Sequence, residues 1–239
     1  MSETPLNRAE QRALRKITRL LGVDLAHTAR AVILAIGGVK GGIGKSTTAL
    51  FLAYCWALLG IKVLVIDADP KSGTSRKWNR RAKSEGRGGL PFTVKTHVSE
   101  DLEDAILDEG WDQEFDLIII DTGGDNDRIL RAAYRIADRM ILTASPSPVD
   151  IDTLPDTAET TVGELGERDI PVSILITSAK SDRMVKDAKK ELRAVGLSVL
   201  TSVVKHRLPY QQMYGWPIES GLDYVAVQHE LDNPKENSA

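Results

Sequence analysis

The sequence predicts an α/β fold in which a mostly parallel, twisted sheet is covered by helices on both faces. Strand signals and helix signals alternate along the chain from Ala31 onward, as they do in folds that connect parallel strands through helices. Most of the predicted strands are apolar throughout, which is typical of strands buried on both faces. The sequence shows no internal repeat, and 239 residues suit one domain with a short extension.

The individual elements follow from these patterns. Apolar runs predict seven strands, at 31–37, 61–67, 92–97, 117–121, 140–144, 172–177 and 198–203. The segments between them have helical spacing and predict helices at 46–59, 74–83, 100–108, 127–137, 152–165 and 182–195, with a last helix near 222–231. The predicted boundaries are an N-terminal basic helical extension at 1–29 and a main domain at 30–239.

The N-terminal extension contains one predicted amphipathic helix at 7–21. Its apolar residues are near helical spacing and lie among four arginines and a lysine. This helix is too short to form a DNA-binding domain with its own core. The sequence leaves open whether it packs on the main domain or contacts DNA or a partner.

The most informative segment is the glycine-rich stretch between the first predicted strand and the first predicted helix. It is predicted to bind nucleotide phosphates through Gly41, Gly42, Ile43, Gly44, Lys45, Ser46 and Thr47. Glycines allow backbone N–H groups to approach phosphate oxygens, and a helix N-terminus favours negative charge. Lys45 would reach the outer phosphates of ATP, and Ser46 would hold Mg²⁺. The predicted sheet is therefore of the P-loop NTPase type.

Three aspartates lie where predicted strands end. Asp67 ends the second strand, Asp69 lies two residues later, and Asp121 ends the fourth strand. Ligands of open α/β sheets bind beyond the carboxyl ends of the strands, so these side chains are expected to point toward the phosphates. Asp121 looks like a Walker B carboxylate that holds the magnesium shell.

Composition limits the function further. The net charge is −3, so any binding of nucleic acid requires a local basic patch. The single cysteine, Cys55, excludes an internal disulfide and is expected to be a core residue. The longest aliphatic run has four residues, at 117–120, and the N-terminus is polar and charged. These features predict a cytoplasmic protein without a membrane span.

The segment from Lys40 to Ser46 resembles the deviant Walker A motif of the ParA/MinD superfamily, particularly small plasmid-type ParA proteins. It has an extra lysine, Lys40, and it has Val39 where the standard P-loop has glycine. The sequence at 67–70 resembles the A-prime motif, and the similarity extends over about 30–230. Two departures are Lys71, where ParA usually has glutamine, and the pair Gly123-Gly124, where it usually has prolines. The glycine pair is a hypothetical hinge.

The resemblance implies a slow, magnesium-dependent ATPase that forms a homodimer with ATP. It implies that Lys40 contacts the nucleotide of the other subunit, Lys45 binds its own nucleotide, and Asp69 orients or activates the attacking water. Asp67 would support the metal together with Ser46 and Asp121. It further implies binding to nonspecific DNA on the nucleoid, plasmid or chromosome partition, and hydrolysis stimulated by a ParB-like or other centromere-binding protein.

A basic helix is the predicted DNA surface. Its cations are Arg183, Lys186, Lys189, Lys190 and Arg193, of which Lys186, Lys190 and Arg193 share one face at helical spacing. The alternative is a solvated face without a ligand. Nonspecific binding by such cations would depend steeply on salt.

Other functions on the same scaffold stay open from the sequence. A MinD-like membrane role would need a basic amphipathic helix at the C-terminus, where this chain is acidic and interrupted by Pro234. The basic helix at the N-terminus could take its place, so this role stays an alternative, although stable membrane association is not expected. Conjugative DNA transfer or the positioning of a protein cargo would use the same catalytic residues. A small-molecule ligase or kinase would need a second substrate pocket, for which the sequence offers no candidate.

Overall fold

The structure, a computed structural model, describes residues 30–38, 40–84, 87–124, 127–163 and 170–233. The predicted N-terminal helix at 7–21 and Val39 lie outside the described residues. No helix within the described ranges is both long and apolar enough to cross a bilayer.

The described residues form one seven-stranded sheet. Its strands are β1 (Val32–Gly38), β2 (Val63–Ala68), β3 (Thr93–Thr96), β4 (Leu117–Thr122), β5 (Arg139–Ala144), β6 (Val172–Ala179) and β7 (Val199–Lys205). The strand order is β3-β2-β4-β1-β5-β6-β7, and every neighbouring pair is parallel. This confirms the predicted fold class and all seven predicted strands. The prediction succeeds because the central strands are buried on both faces and are therefore almost entirely apolar.

Helices connect the strands. They are α1 (Lys45–Leu58), α2 (Thr74–Ala82), α3 (Leu102–Asp108), α4 (Trp111–Glu114), α5 (Asp127–Ile136), α6 (Pro148–Gly163), α7 (Asp182–Ala194), α8 (Leu208–Gln212) and α9 (Tyr224–Asp232). The seven predicted helices are present. The short helices α4 and α8 were not predicted, because four or five residues are too few to show a helical period. Helix α6 begins earlier than predicted, since Pro148 suits a first helical turn.

Two hydrophobic clusters cover the two faces of the sheet. One contains Leu102, Ile129, Leu154 and Val185, which belong to α3, α5, α6 and α7. The other contains the inner faces of α1, α2 and α9, and it includes Phe51, Trp78 and Tyr224. Cys55 is buried in this second cluster, as expected, and burial raises the pKa of its thiol to about 11. Helices α2 and α7 therefore lie on opposite faces of the sheet.

Sheet register brings the predicted carboxylates together. Asp67 of β2 is directly opposite Asp121 of β4, and Asp121 is in turn opposite Ile36 of β1. After Ile36 the chain continues through Gly37 and Gly38 toward the glycine-rich loop. Parallel strands thus deliver both aspartates and the loop to the same edge of the sheet.

Candidate functional site

The glycine-rich loop has the backbone conformation that a phosphate cradle requires. Gly42 and Gly44 have φ angles of 78° and 88°, which disfavour residues with a side chain. Gly44 also precedes the first turn of α1, where unpaired backbone N–H groups attract anions. The Thr177 hydroxyl donates to the Ile43 carbonyl at 2.6 Å and fixes the loop against β6.

The two lysines of this loop have different environments. Lys45 is buried, and its ammonium donates to the backbone carbonyl of Lys40 at 2.6 Å, which holds it inside the loop. The side chain of Lys40 is 51% exposed and forms an ion pair with Asp150 at the start of α6. Asp150 is itself buried and accepts a hydrogen bond from Ser145 at 2.6 Å. Of the two loop lysines, Lys45 lines the main cavity and Lys40 does not.

Asp121 has the features of a metal ligand. It is fully buried, and its Oδ2 atom accepts a hydrogen bond from Ser75 of α2 at 2.6 Å. Its Oδ1 atom has no hydrogen-bond partner within the described part of the chain. Burial raises the pKa of Asp121 to about 7, and the nearby charge of Asp67 adds to this, whereas Ser75, Ser46 and Lys45 oppose it. A buried carboxyl oxygen without a partner is suited to a cation or to its bound water.

Asp67 is the structural link between β2 and α2. Its Oδ2 atom accepts the backbone N–H of Arg76 at 2.7 Å, and its Oδ1 atom accepts that of Asp69 at 3.2 Å. The Arg76 guanidinium lies 3.8 Å from Oδ1. Burial raises the pKa of Asp67, although these hydrogen bonds and Arg76 lower it. Asp67 therefore caps the N-terminus of α2, and this role accompanies any support that it gives to the metal.

Asp69 lies beyond the end of β2 on the wall of the main cavity. Its Oδ1 atom accepts the backbone N–H groups of Lys71 and Ser72 at 2.9 and 3.1 Å, and its Oδ2 atom accepts the Ser72 hydroxyl. Burial would raise the pKa of Asp69, but these hydrogen bonds and the charge of Lys45 lower it below 3.8. Asp69 is thus ionised at neutral pH and is a weak base.

The two glycines after β4 are explained by close packing. A Cβ atom on Gly124 would lie 2.5 Å from the backbone nitrogen of Gly41 and 2.6 Å from the carbonyl carbon of Lys40. A Cβ atom on Gly123 would lie 3.1 Å from Oδ1 of Asp69. Neither glycine has a positive φ angle. The pair allows the end of β4 to touch the phosphate loop, and the hinge remains a hypothesis.

The main cavity has a volume of about 520 Å³ and extends from the phosphate loop to the segment after β7. At the loop it is lined by Gly41, Gly42, Gly44, Lys45, Ser46 and Thr47, and after β7 it is lined by Lys205, His206, Arg207, Tyr210 and Gln211. Arg207 donates to Asp223 through two nitrogens, at 2.9 and 2.8 Å, and Asp223 also accepts the Lys205 backbone N–H at 3.0 Å. This bidentate pair fixes the outer wall of the cavity.

The predicted DNA residues lie along α7. Arg183, Lys186, Lys190 and Arg193 are exposed, and Ser181 caps the helix by accepting the Met184 N–H. Lys189 differs from the other four. It is half-buried, and its ammonium donates to the Thr201 carbonyl at 2.5 Å. Burial and nearby Arg193 lower the pKa of Lys189. Because its ammonium already bonds the backbone of β7, Lys189 is less available to a ligand than the other four cations.

Sequence reasoning missed three residues of the site. These are Ser75, which bonds Asp121, Asp150, which bonds Lys40, and Asp223, which bonds Arg207. No spacing rule identifies them, because each reaches its partner from a distant part of the sequence. The residues present nevertheless fit the predicted ligands. The loop supplies N–H donors and Lys45 for ATP, and Ser46 with Asp121 supplies oxygen atoms for Mg²⁺.

Comparison with known proteins agrees with this geometry. A family model described as ATPase MipZ matches residues 32–216. The maintenance of carboxysome distribution protein A of Gloeobacter kilaueensis is 27% identical over 214 residues, which cover 84% of this chain and 94% of that protein.

Solved structures show the same fold. The structure of a plasmid partition protein from Borrelia burgdorferi bound to AMPPNP superposes on this one with a TM-score of 0.64 at 18% sequence identity. The match covers 84% of this chain and 96% of the Borrelia chain. Cobyrinic acid a,c-diamide synthase from Mycobacterium smegmatis, with bound ADP and magnesium, has a TM-score of 0.65 at 15% identity, with coverage of 87% and 97%. The family model matches more than half of the chain, and the resemblance to ParA/MinD proteins is confirmed. The chain therefore belongs to the MipZ family of ParA/MinD-like ATPases.

Proposed function

We propose that this protein is a positioning ATPase that dimerises around ATP, binds DNA without sequence preference and releases it after hydrolysis. The observation that carries the proposal is the orientation of Lys40. Its side chain is half exposed and forms an ion pair with Asp150, and Lys40 is not among the residues that line the main cavity. A second loop lysine that does not serve its own phosphates is free to serve those of a second copy once it leaves Asp150.

Each residue of the site has a role in this proposal. The loop N–H groups and Lys45 bind the phosphates, and Ser46 with Asp121 holds Mg²⁺, supported by Asp67. Bound Mg²⁺ would neutralise charge that develops on the phosphate oxygens. Asp69 orients the attacking water through its carboxylate. Because hydrogen bonds keep the pKa of Asp69 low, it accepts a proton poorly, and hydrolysis is slow without a stimulating partner.

We propose DNA, a plasmid or a chromosome, as the cargo, and a ParB-like or other centromere-binding protein as the stimulating partner. The similarity to a plasmid partition protein supports a DNA cargo. The similarity to a carboxysome distribution protein over most of both chains supports a protein cargo as the second candidate. In both proposals the ATPase binds the nucleoid through nonspecific contacts with DNA. The two proposals differ in the partner that stimulates hydrolysis.

The test is size-exclusion chromatography with light scattering, using ADP, ATP or a slow-hydrolysing analogue, each with and without duplex DNA. The expected result is a species of twice 26.2 kDa with the analogue and Mg²⁺, and a monomer with ADP. Lys45→Ala is the control, because it should abolish ATP binding and dimer formation together. A protein that binds the analogue tightly but stays monomeric in all these conditions would refute the proposal.

A further inference from the structure

Helix α2 and its flanking residues carry an uninterrupted positive charge. Between Asp69 and Glu85 the sequence contains six lysines and arginines and no carboxylate. This is unusual in a chain whose 34 acidic residues outnumber its 31 lysines and arginines. The six cations are Lys71, Arg76, Lys77, Arg80, Arg81 and Lys83.

Packing directs most of this charge outward. Ser75, Trp78 and Ala82 form the buried face of α2 and pack toward the sheet. Helical spacing then places Lys77, Arg80 and Arg81 on the opposite face, where all three are exposed, with Lys83 exposed just beyond the helix. We call these four residues, Lys77, Arg80, Arg81 and Lys83, the α2 surface.

The charges of the α2 surface are not compensated by acidic groups. Within the described ranges, no hydrogen bond or ion pair engages the side chains of Lys77, Arg80 and Lys83. The Arg81 guanidinium lies over the ring of Tyr214, with its carbon 5.1 Å from the ring centroid. This contact holds Arg81 in place without neutralising it.

Helix α7 on the opposite face of the sheet differs in this respect. Its exposed cations are interspersed with Asp182, Asp187 and Glu191, which are also exposed. Arg183 lies 3.8 Å from Asp187, and Arg193 donates to the Val199 carbonyl at 3.2 Å. A polyanion on α7 would meet repulsion from three carboxylates, whereas no carboxylate lies among residues 70–84, which include the α2 surface.

We propose that the α2 surface binds the phosphate backbone of duplex DNA. This inference rests on the proposed function and specifies where the DNA lies. The exposed face of α2 has no apolar side chain that could enter a bilayer, which disfavours an anionic membrane as the ligand. Flexible lysines and arginines without neighbouring base-reading groups bind phosphates irrespective of sequence.

The first turn of α2 connects this surface to the catalytic carboxylates. Ser75 donates to Asp121 at 2.6 Å, and the backbone N–H of Arg76 donates to Asp67 at 2.7 Å. The Arg76 guanidinium also donates to the carbonyl of Asp69 at 3.2 Å. A change at the magnesium or water site therefore reaches the α2 surface through one short helix, so the nucleotide can govern DNA affinity.

The test compares two triple variants of the full-length protein. One is Lys77→Ala/Arg80→Ala/Lys83→Ala, and the matched control on α7 is Arg183→Ala/Lys186→Ala/Lys190→Ala. Fluorescence anisotropy with random-sequence duplex and the slow-hydrolysing analogue gives the affinity between 50 and 200 mM salt. Loss of three phosphate contacts at a slope of about 0.9 each makes the log–log salt dependence shallower by about 2.7 for each copy that contacts the duplex. For one such copy, the affinity ratio of wild type to the α2 variant falls by roughly 40-fold across this range, and for both copies of a dimer it falls by the square of that factor.

The outcomes separate this inference from the proposed function. An α2 variant that binds DNA with the wild-type affinity and salt slope overturns the inference. A loss of DNA affinity confined to the α7 variant also overturns it, but leaves the proposed function intact. A wild-type protein that forms dimers and binds anionic phosphatidylserine vesicles instead of duplex DNA overturns both. The melting temperature and the ATP affinity show whether the α2 variant is folded. If the triple variant does not fold, the single variant Arg80→Glu replaces it in the same DNA-binding measurement.

Discussion

The protonation of Asp121 gives a direct test of the burial of this carboxyl at the candidate site. Because burial raises the pKa of this carboxyl to about 7, the folded protein without nucleotide holds a proton there at pH 5 that the unfolded chain has lost. Folding stability should therefore be greatest at low pH within this range and should fall as the pH rises through 7. The variant Asp121→Asn resembles the protonated form and should lack this dependence.

The size of the effect follows from the same pKa. With a pKa of about 7 in the folded state and 3.8 in the unfolded state, linkage predicts a loss of roughly 3 kcal/mol between pH 5 and pH 8. At a urea dependence of about 2.5 kcal/mol per molar, the unfolding midpoint moves by about 1 M. The charges of Asp67 and Lys45 act on Asp121 in opposite directions, and both are present in the variant and in the wild type.

The assay is urea unfolding of the nucleotide-free protein at pH 5, 6, 7 and 8, with Asp121→Asn in parallel. The quantity of interest is the difference in unfolding free energy between the two proteins at each pH, since other titrating groups then cancel. A difference that does not change with pH would show that Asp121 is already ionised in the folded protein. The argument that burial raises the pKa of Asp121 to about 7 would then fail.

Three further predictions concern the loop and its neighbours. Lys40→Ala should bind ATP with wild-type affinity, because Lys40 does not line its own cavity, but it should not dimerise, as light scattering would show. Asp69→Ala should retain ATP binding and lower turnover roughly 100-fold, which phosphate release measures; normal turnover would contradict its role. Gly124→Ala should weaken ATP affinity at least about tenfold in calorimetry, because its Cβ would lie 2.5 Å from the Gly41 nitrogen. Gly123→Ala is its milder control.

Much of the fold could be predicted from the sequence, because the strands and the phosphate loop are encoded by contiguous residues. The run 117–121 is apolar and ends in an aspartate, and the structure gives the strand Leu117–Thr122 with Asp121 buried. The positive φ angles of Gly42 and Gly44 likewise agree with the glycine pattern. Local signals of this kind do not depend on how distant segments pack.

The rest of the site depends on contacts between distant segments. Ser75 and Asp121 are 46 residues apart, and no pattern marks this serine as the partner of that carboxylate. The pairing of Lys40 with Asp150 depends on how α6 begins beside the loop. The cations of α2 are visible in the sequence, but their exposure follows from the burial of Trp78 on the other side of the helix.

The chemistry of Asp69 explains why α2 is suited to control hydrolysis. In the proposed mechanism, a carboxylate with a lowered pKa would contribute by holding water in place, so the rate would depend on its position more than on its basicity. That position is set by the turn from Asp69 to Ser72, which leads into α2, and by Arg76 in the first turn of α2. Any ligand that displaces α2 therefore changes the geometry of the water site. A surface on this helix can regulate the ATPase without contacting the nucleotide.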